Sequence, residues 1–265
     1  MLLLFDTSTT TAVTALAVSD GQAVVGEKVY PRQEGGSARL LAGVTELLDS
    51  SGVDLDAVSG IVLNRGPGSY TGLRVGYALA QGLQETRGIP SVGVPSYAAF
   101  GEQFRPARAA LCICYDARSR GVAWVTYPPG ESEPLRAGSE RAAVRGMTVL
   151  ELGEERVLLQ IAPAAAIPGL VPRPCRLVGP GVGVLRRSMG GVPPGDVECV
   201  SGSERAAPGQ LFALGARRLV EAGEDPVTTR PFYLGTLEAP AKPGRDASAG
   251  QAEPETAIET GEGEN

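Results

Sequence analysis

Residues 65–76 read RGPGSYTGLRVG, and this stretch carries the strongest structural signal in the chain. A compact apolar strand is predicted directly before it, at residues 60–64, and a helix after it, at about residues 70–87. A helix that begins at such a glycine turn presents free N–H groups and the positive end of its dipole, which favour an anion. The stretch therefore predicts an α/β unit with an anion-binding turn.

Two nucleotide-binding fingerprints do not fit this turn. A Walker loop requires a lysine after its last glycine, whereas Leu73 follows Gly72. The dinucleotide fingerprint fits Gly66 and Gly68, but Thr71 stands where the third glycine belongs. The turn therefore lacks both standard phosphate loops.

The segments around this unit extend the same sheet. The predicted elements are, in chain order, strands at 2–5, 12–18 and 23–30, a helix at 37–51, a strand at 91–94 and a helix at 96–104. Three antiparallel strands followed by parallel crossovers predict a mixed sheet flanked by helices on both faces. The fold class is therefore α/β.

The second half of the chain repeats the opening pattern. An apolar strand delivers Asp6 into a polar turn near the N-terminus, and a similar strand at 109–115 delivers Asp116 into another turn. In both places the chain returns as a second apolar strand. This echo predicts two related lobes that face each other across a cleft.

The predicted boundaries follow from these patterns and from a change in composition. An amphipathic helix at 208–222 closes the second lobe, and beyond it the chain loses its large apolar residues and becomes acidic. The predicted units are an N-terminal lobe at 1–104, a C-terminal lobe at 105–236 and a disordered tail at 237–265.

Composition excludes several classes of function. The chain has no histidine, so reactions that need an imidazole base or ligand cannot be self-contained. Residues 238–265 carry five of the six net negative charges, so the rest is near neutral and lacks the basic surface of a nucleic-acid-binding protein. With no signal peptide and no apolar run of membrane-spanning length, we expect a cytoplasmic protein. The scattered cysteines favour reduced core thiols: Cys112, Cys114, Cys175 and Cys199.

The helix after the glycine turn allows two interpretations. Gly72, Gly76 and Ala80 form a row of small residues at i, i+4 and i+8, which lets another backbone approach closely. That backbone belongs either to the core of this chain or to a partner subunit. Tyr70 and Trp124 are interpreted as packing residues, because no basic stripe surrounds them.

The residues from Gly66 to Gly76 resemble the G-P-G-S-[FY]-T-G-[LV]-R-[IV]-G hallmark of the TsaB (YeaZ) family and match it at each position. Four other segments resemble the family in consistent order over residues 1–236: Leu4–Ser8, Val92–Ser96, Asp116–Arg118 and Pro231–Leu234. The resemblance implies the two-lobed actin-like ATPase fold, also called ASKHA or ribonuclease H-like, with mixed sheets flanked by helices.

The resemblance also implies a function. Members act as a non-catalytic scaffold or activator in the complex that forms N6-threonylcarbamoyladenosine at position 37 of tRNA. The implied partners are the paralogous transferase subunit and a small P-loop ATPase, with tRNA contacted through the complex. ATP and magnesium are used by the complex, and no cofactor or metal is expected on this chain alone. Whether the isolated chain forms a homodimer is left open.

Two sets of site residues follow. The N-lobe helices would supply the partner-binding residues Leu40, Leu41, Val44, Leu48, Tyr70, Gly72, Leu73, Gly76, Tyr77 and Ala80. A vestigial nucleotide or anion site would comprise Asp6, Thr7, Ser8, Arg65, Gly66, Gly68 and Ser69. From the second lobe, Asp116 and the glycine loop at residues 179–181 would provide part of the carboxylate and phosphate-binding groups that magnesium and a phosphate require. The alternative for Asp6 and Thr7 is a turn in which they satisfy local backbone N–H groups.

The chain departs from the family at two positions, and two alternative functions stay open. Gly36 stands where relatives commonly carry a histidine, and Gly235 follows Leu234 where an arginine is usual. The alternatives are an autonomous ATPase or kinase of the same fold and a glycoprotein-type peptidase. The missing phosphate loop counts against the first, and the missing histidine counts against the second.

Overall fold

A computed structural model describes residues 1–9, 13–31, 39–105, 108–138, 148–153, 156–191, 193–222 and 230–234. Gly36, the predicted helix start at Ser37 and the predicted tail at 237–265 lie outside these ranges. Within them, no helix has both the length and the apolar character that crossing a membrane requires.

The N-terminal lobe is a five-stranded mixed sheet with the strand order β3-β2-β1-β4-β5. Its elements are β1 (Leu2–Asp6), β2 (Val13–Ser19), β3 (Val24–Pro31), α1 (Leu40–Ser51), β4 (Gly60–Asn64), α2 (Tyr70–Arg87), β5 (Ser91–Val94) and α3 (Ser96–Phe104). The first three strands pair antiparallel, whereas β1, β4 and β5 run parallel. The mixed sheet predicted from the sequence is therefore confirmed.

Alternation along β1 and β4 sends side chains to two different cores. Leu3, Phe5 and Ile61 pack with α1 and α2 on one face. Leu4 and Val62 point to the opposite face, where they join the residues that lie between the lobes. Both faces of the sheet are therefore buried at β1 and β4, as the continuous apolar sequences of these strands require.

The C-terminal lobe repeats the topology of the first. Its elements are β6 (Ala110–Asp116), β7 (Val122–Tyr127), β8 (Thr148–Leu152), β9 (Val157–Ala162), α4 (Ile167–Leu170), β10 (Cys175–Val178), α5 (Val182–Ser188) and β11 (Val197–Cys199). Helix α6 (Pro208–Ala222) follows them. The strand order β11-β10-β6-β7-β9 is that of the N-terminal sheet, with β8 added at the edge. Asp6 and Asp116 end equivalent strands, so the echo read from the sequence corresponds to a real repeat.

The outer face of the second sheet holds the thiols. Cys112 and Cys114 on β6, Cys175 on β10 and Cys199 on β11 are buried in one apolar cluster, and all four are free. A hydrogen bond with Cys175, together with burial, raises the pKa of the Cys112 thiol well above its usual range, and burial does the same for the pKa of the Cys114 thiol. The prediction of reduced core thiols fits this placement.

The closing helix belongs with the N-terminal sheet rather than with the lobe that precedes it. α6 packs on β1, β4 and β5, and Arg218 Nη1 donates to the Gly93 carbonyl at 3.1 Å. Gly215 lies so close to Val62 that a Cβ there would overlap the valine side chain. Assigning 208–222 to the C-terminal lobe is therefore corrected, because the amphipathic pattern identifies a buried face but not the sheet that covers it.

Candidate functional site

Asp6 forms a buried hydrogen-bonding hub at the end of β1. Its Oδ1 accepts bonds from Ser8 N at 3.2 Å, Ser8 Oγ at 2.7 Å and Asn64 Nδ2 at 3.0 Å. The residue is 2% exposed, and burial raises the pKa of its carboxyl against the lowering effect of the Ser8 bonds. Asp6 therefore satisfies a local backbone N–H, as the structural alternative predicted, whereas Thr7 has a packing role.

The hub extends to the glycine turn through Asn64 and Ser8. Asn64 Oδ1 accepts from the N–H of Gly66 at 3.0 Å, and the Ser8 carbonyl accepts from the N–H of Ser69 at 2.8 Å. Ser69 Oγ in turn caps α2 by accepting from Gly72 N at 3.2 Å. The ends of β1 and β4 and the start of α2 are thus joined in one network.

The glycine turn is filled by the backbone of this chain. A Cβ on Gly68 would overlap the carbonyl of Ser8, and a Cβ on Gly72 would overlap the carbonyl of Thr7. The N–H groups of Gly66, Gly68 and Ser69 all donate within the chain. The predicted anion site at these residues is therefore corrected, because the donors that would bind the anion already have acceptors.

The segment 230–234 closes the turn from the other side. Gly68 N donates to the Phe232 carbonyl at 3.3 Å, and Phe232 N donates to the Arg65 carbonyl at 2.7 Å. The Arg65 guanidinium lies 4.0 Å from the centre of the Phe232 ring, and its Nε donates to the Arg230 carbonyl. Arg65 therefore anchors this segment, which is a role different from the predicted phosphate contact.

The described residues leave little open space between the lobes beside Asp6. The cavity beside Asp6, Asn64, Ser96 and Tyr115 measures about 10 Å³, which is at most the space of one water molecule. Ser96 Oγ and Tyr115 Oη, one from each lobe, are 2.8 Å apart, and Arg205 pairs with Glu27 across the lobes. Small-molecule sites usually span about 300–1,000 Å³, so the cavity that the described residues form beside Asp6 has no room for a nucleotide.

The second-lobe residues that would contribute to the nucleotide site also bond and pack within this chain. Asp116 accepts from Arg118 N at 2.9 Å and forms an ion pair with the Arg118 guanidinium at 3.5 Å. Gly181 N donates to the Cys114 carbonyl at 2.8 Å, and a Cβ there would lie 2.7 Å from Tyr115 N. The loop at 179–181 therefore packs on the end of β6.

The residues predicted to bind a partner divide into two groups. Seven of them are buried within this chain: Leu40, Val44, Leu48, Gly72, Leu73, Gly76 and Ala80. Gly76 faces Thr7, whose Oγ1 would be 2.6 Å from a Cβ at that position. The small-residue row is therefore filled by the turn after β1, which corrects its interpretation as the surface for a partner. Leu41 and Tyr70 are exposed, and Tyr77 is half-buried.

Two features of the site escaped the sequence analysis. The sequence analysis places Asn64 at the end of a strand and assigns it no role in the site. A polar residue directly after an apolar strand is a signal that its side chain acts at the strand end. Tyr70 is predicted both to pack and to bind a partner, but its contact with Tyr233, whose ring centroid is 4.6 Å away, is not predicted. Its partner in the segment 230–234 is remote in sequence, and no local pattern reveals such a contact.

Several known proteins to which this chain is similar carry names that refer to the same tRNA modification. Residues 32–147 match the family model described as TsaD, tRNA N6-adenosine threonylcarbamoyltransferase. The Escherichia coli protein named tRNA threonylcarbamoyladenosine biosynthesis protein TsaB is 32% identical over 145 residues, covering 54% of this chain and 61% of that protein. The Bacillus subtilis protein of the same name is 32% identical over 117 residues, covering 44% and 50%. The chain thus matches between half and three fifths of the length of these relatives.

A solved structure agrees on the fold. YeaZ from Pseudomonas aeruginosa matches with a TM-score of 0.57 and 24% identity, covering 87% of this chain and 98% of that one. With the repeated strand order of the two lobes, this likeness confirms the predicted two-lobed actin-like α/β fold.

Proposed function

We propose that this chain, which belongs to the TsaB (YeaZ) family, acts as a non-catalytic scaffold and activator in forming N6-threonylcarbamoyladenosine at position 37 of tRNA. The proposal carries over to the whole chain a pathway that its relatives' names state for those proteins. Its partners would be the paralogous transferase subunit and a small P-loop ATPase. The complex would use ATP and magnesium and would contact the tRNA, which implies the cytoplasm.

The closed cleft is the observation that carries this proposal. In an autonomous ATPase or kinase of this fold, the nucleotide would lie between the lobes, where the present cavity measures about 10 Å³. Asp6, which would hold magnesium there, uses its Oδ1 for three bonds within the chain. Because the described residues leave no such space and the chain has no histidine, we place its contribution to the reaction on its outer surface.

The outer face of α1 and α2 is the docking surface that we propose for the transferase subunit. The two helices pack side by side on the same face of the N-terminal sheet. In the N-terminal halves of the helices the exposed residues are mostly small, aliphatic or aromatic: Leu41, Ala42 and Thr45 on α1, and Tyr70, Thr71, Arg74 and Ala78 on α2. Toward the C-terminal ends the exposed residues are mostly polar or charged: Asp49 and Ser50 on α1, and Gln81, Gly82, Glu85, Thr86 and Arg87 on α2. Leu41, which is 63% exposed, offers the largest aliphatic contact.

Reconstitution tests the proposed function. Purified transferase and ATPase subunits are incubated with tRNA, threonine, bicarbonate and ATP, in the presence of the enzyme that forms the activated threonylcarbamoyl donor. We expect tRNA modification to require this chain and to proceed with Asp6→Asn as with the wild type. Equal modification with and without the chain would contradict the proposal.

A further inference from the structure

The exposed start of α2 carries an aromatic cluster that the fold does not require. Tyr70 is 41% exposed, and its ring lies 4.6 Å from the Tyr233 ring at an interplanar angle of 57°. Arg74 lies one turn further along α2, with its Cζ 5.2 Å from the centre of the Tyr70 ring and its Nη1 2.7 Å from the Tyr70 hydroxyl. We call Tyr70, Arg74 and Tyr233 the aromatic patch.

The segment 230–234 holds Tyr233 at the surface. Phe232 and Leu234 are buried in the core between the lobes, at 8% and 5% exposure, while Tyr233 between them is only half-buried. A parallel bridge joins Tyr233 to Gly68 and fixes the backbone at this point. The position of the Tyr233 ring is therefore set by two anchored neighbours, so the patch is preorganised.

Charge indicates what the aromatic patch would bind. Within the described ranges, Arg74 has no carboxylate within salt-bridge distance, and its guanidinium donates a hydrogen bond to the Tyr70 hydroxyl. Arg87, at the other end of the same helix, pairs with Asp56 at 2.7 Å. Partial burial raises the pKa of Tyr233, and the charge of the nearby Arg74 opposes that shift.

We propose that the aromatic patch docks a carboxylate-bearing segment of the transferase subunit, with the carboxylate paired to Arg74 and an apolar side chain on the two tyrosine rings. The inference rests on the proposed function and extends the docking surface from the helices to the C-terminal segment. Tyrosine and arginine dominate the residues that contribute most to protein interfaces. A guanidinium already held over a ring loses little further freedom when it pairs with a carboxylate.

The test compares matched charge reversals on one helix. The affinity of the full chain for the purified transferase subunit is measured by calorimetry for the wild type, Arg74→Glu, Tyr233→Ala and Arg87→Glu. Arg87 is 13 residues from Arg74, about 20 Å along the helix. We expect Arg74→Glu and Tyr233→Ala each to weaken binding about 10-fold or more, and Arg87→Glu to change it less than 3-fold. Melting temperatures confirm that each variant is folded.

The outcomes separate the two proposals. If the wild type does not bind the transferase subunit, the proposed function fails. If the wild type binds and the Arg74→Glu and Tyr233→Ala variants, both folded, bind equally well, only the aromatic patch is refuted. If these variants keep their protein affinity but lose binding of a single-stranded RNA oligonucleotide that the wild type binds, the patch stacks nucleobases and our assignment is overturned.

Discussion

At the scale of the residue, Asp6 illustrates how a position that suggests catalysis can serve structure. It lies at the end of the first strand of an actin-like fold, where a magnesium-linked carboxylate is the functional expectation. Here its Oδ1 joins the turn after β1 to Asn64 and, through Asn64, to Gly66. Its burial and its three bonds indicate that it fixes the geometry of the glycine turn.

Replacing Asp6 tests that structural role. Asp6→Ala removes the acceptor of three buried hydrogen bonds, so we expect a loss of about 2–4 kcal/mol in the free energy of unfolding. Asp6→Asn keeps one carbonyl oxygen as acceptor and should lie within about 1 kcal/mol of the wild type. Urea denaturation measures both values, and similar large losses for the two variants would contradict the role of Oδ1.

The raised pKa of Asp6 predicts a pH dependence. Because burial raises the pKa in the folded state, the folded protein holds the Asp6 proton more tightly than the unfolded chain does. This contribution to stability is complete below the unfolded pKa of about 3.9 and is lost as the pH rises through the folded value. The stability of the wild type relative to Asp6→Asn should therefore fall as the pH rises from about 4. Denaturation at several pH values measures this difference, and a difference that grows with pH would contradict it.

At the scale of the element, α2 shows what periodicity can and cannot predict. The sequence correctly identified the helix, its cap region and its row of small residues. It could not identify what fills the row, because any closely approaching backbone demands the same small side chains. The structure places the turn after β1 against Gly72 and Gly76, so the exposed positions of the helix remain for a partner.

Two glycines on α2 form a matched pair that tests this packing. A Cβ on Gly72 would overlap the Thr7 carbonyl, which is backbone and cannot easily move, whereas a Cβ on Gly82 would meet nothing within 4 Å. We expect Gly72→Ala to destabilise the chain by about 1–3 kcal/mol and Gly82→Ala to stabilise it by about 0.5–1 kcal/mol. Thermal unfolding measures both, and equal effects would show that Thr7 does not occupy the row.

At the scale of the whole molecule, the two lobes share one core. Tyr97 and Phe100 on α3 pack with Ile113 and Tyr115 of the second sheet, and the Tyr127 hydroxyl donates to the Tyr97 carbonyl at 3.1 Å. The repeated lobes could be predicted from the sequence because each opens with the same strand and turn. The return of α6 to the first sheet could not, because that packing depends on contacts more than a hundred residues apart.

The shared core predicts cooperative unfolding of both lobes. Phe100 is 2% exposed between them, so Phe100→Ala should cost about 3–5 kcal/mol while leaving a single transition. Differential scanning calorimetry of the wild type and the variant measures this. Two separate transitions in the wild type would contradict a continuous core.

The filled cleft predicts that the purified full chain binds no nucleotide. Isothermal titration calorimetry with magnesium-ATP should give no heat of binding, because the cavity of about 10 Å³ beside Asp6 cannot hold a nucleotide. Stoichiometric binding that Asp6→Asn abolishes would contradict this account, since it would show that the lobes open and that Asp6 serves a nucleotide site.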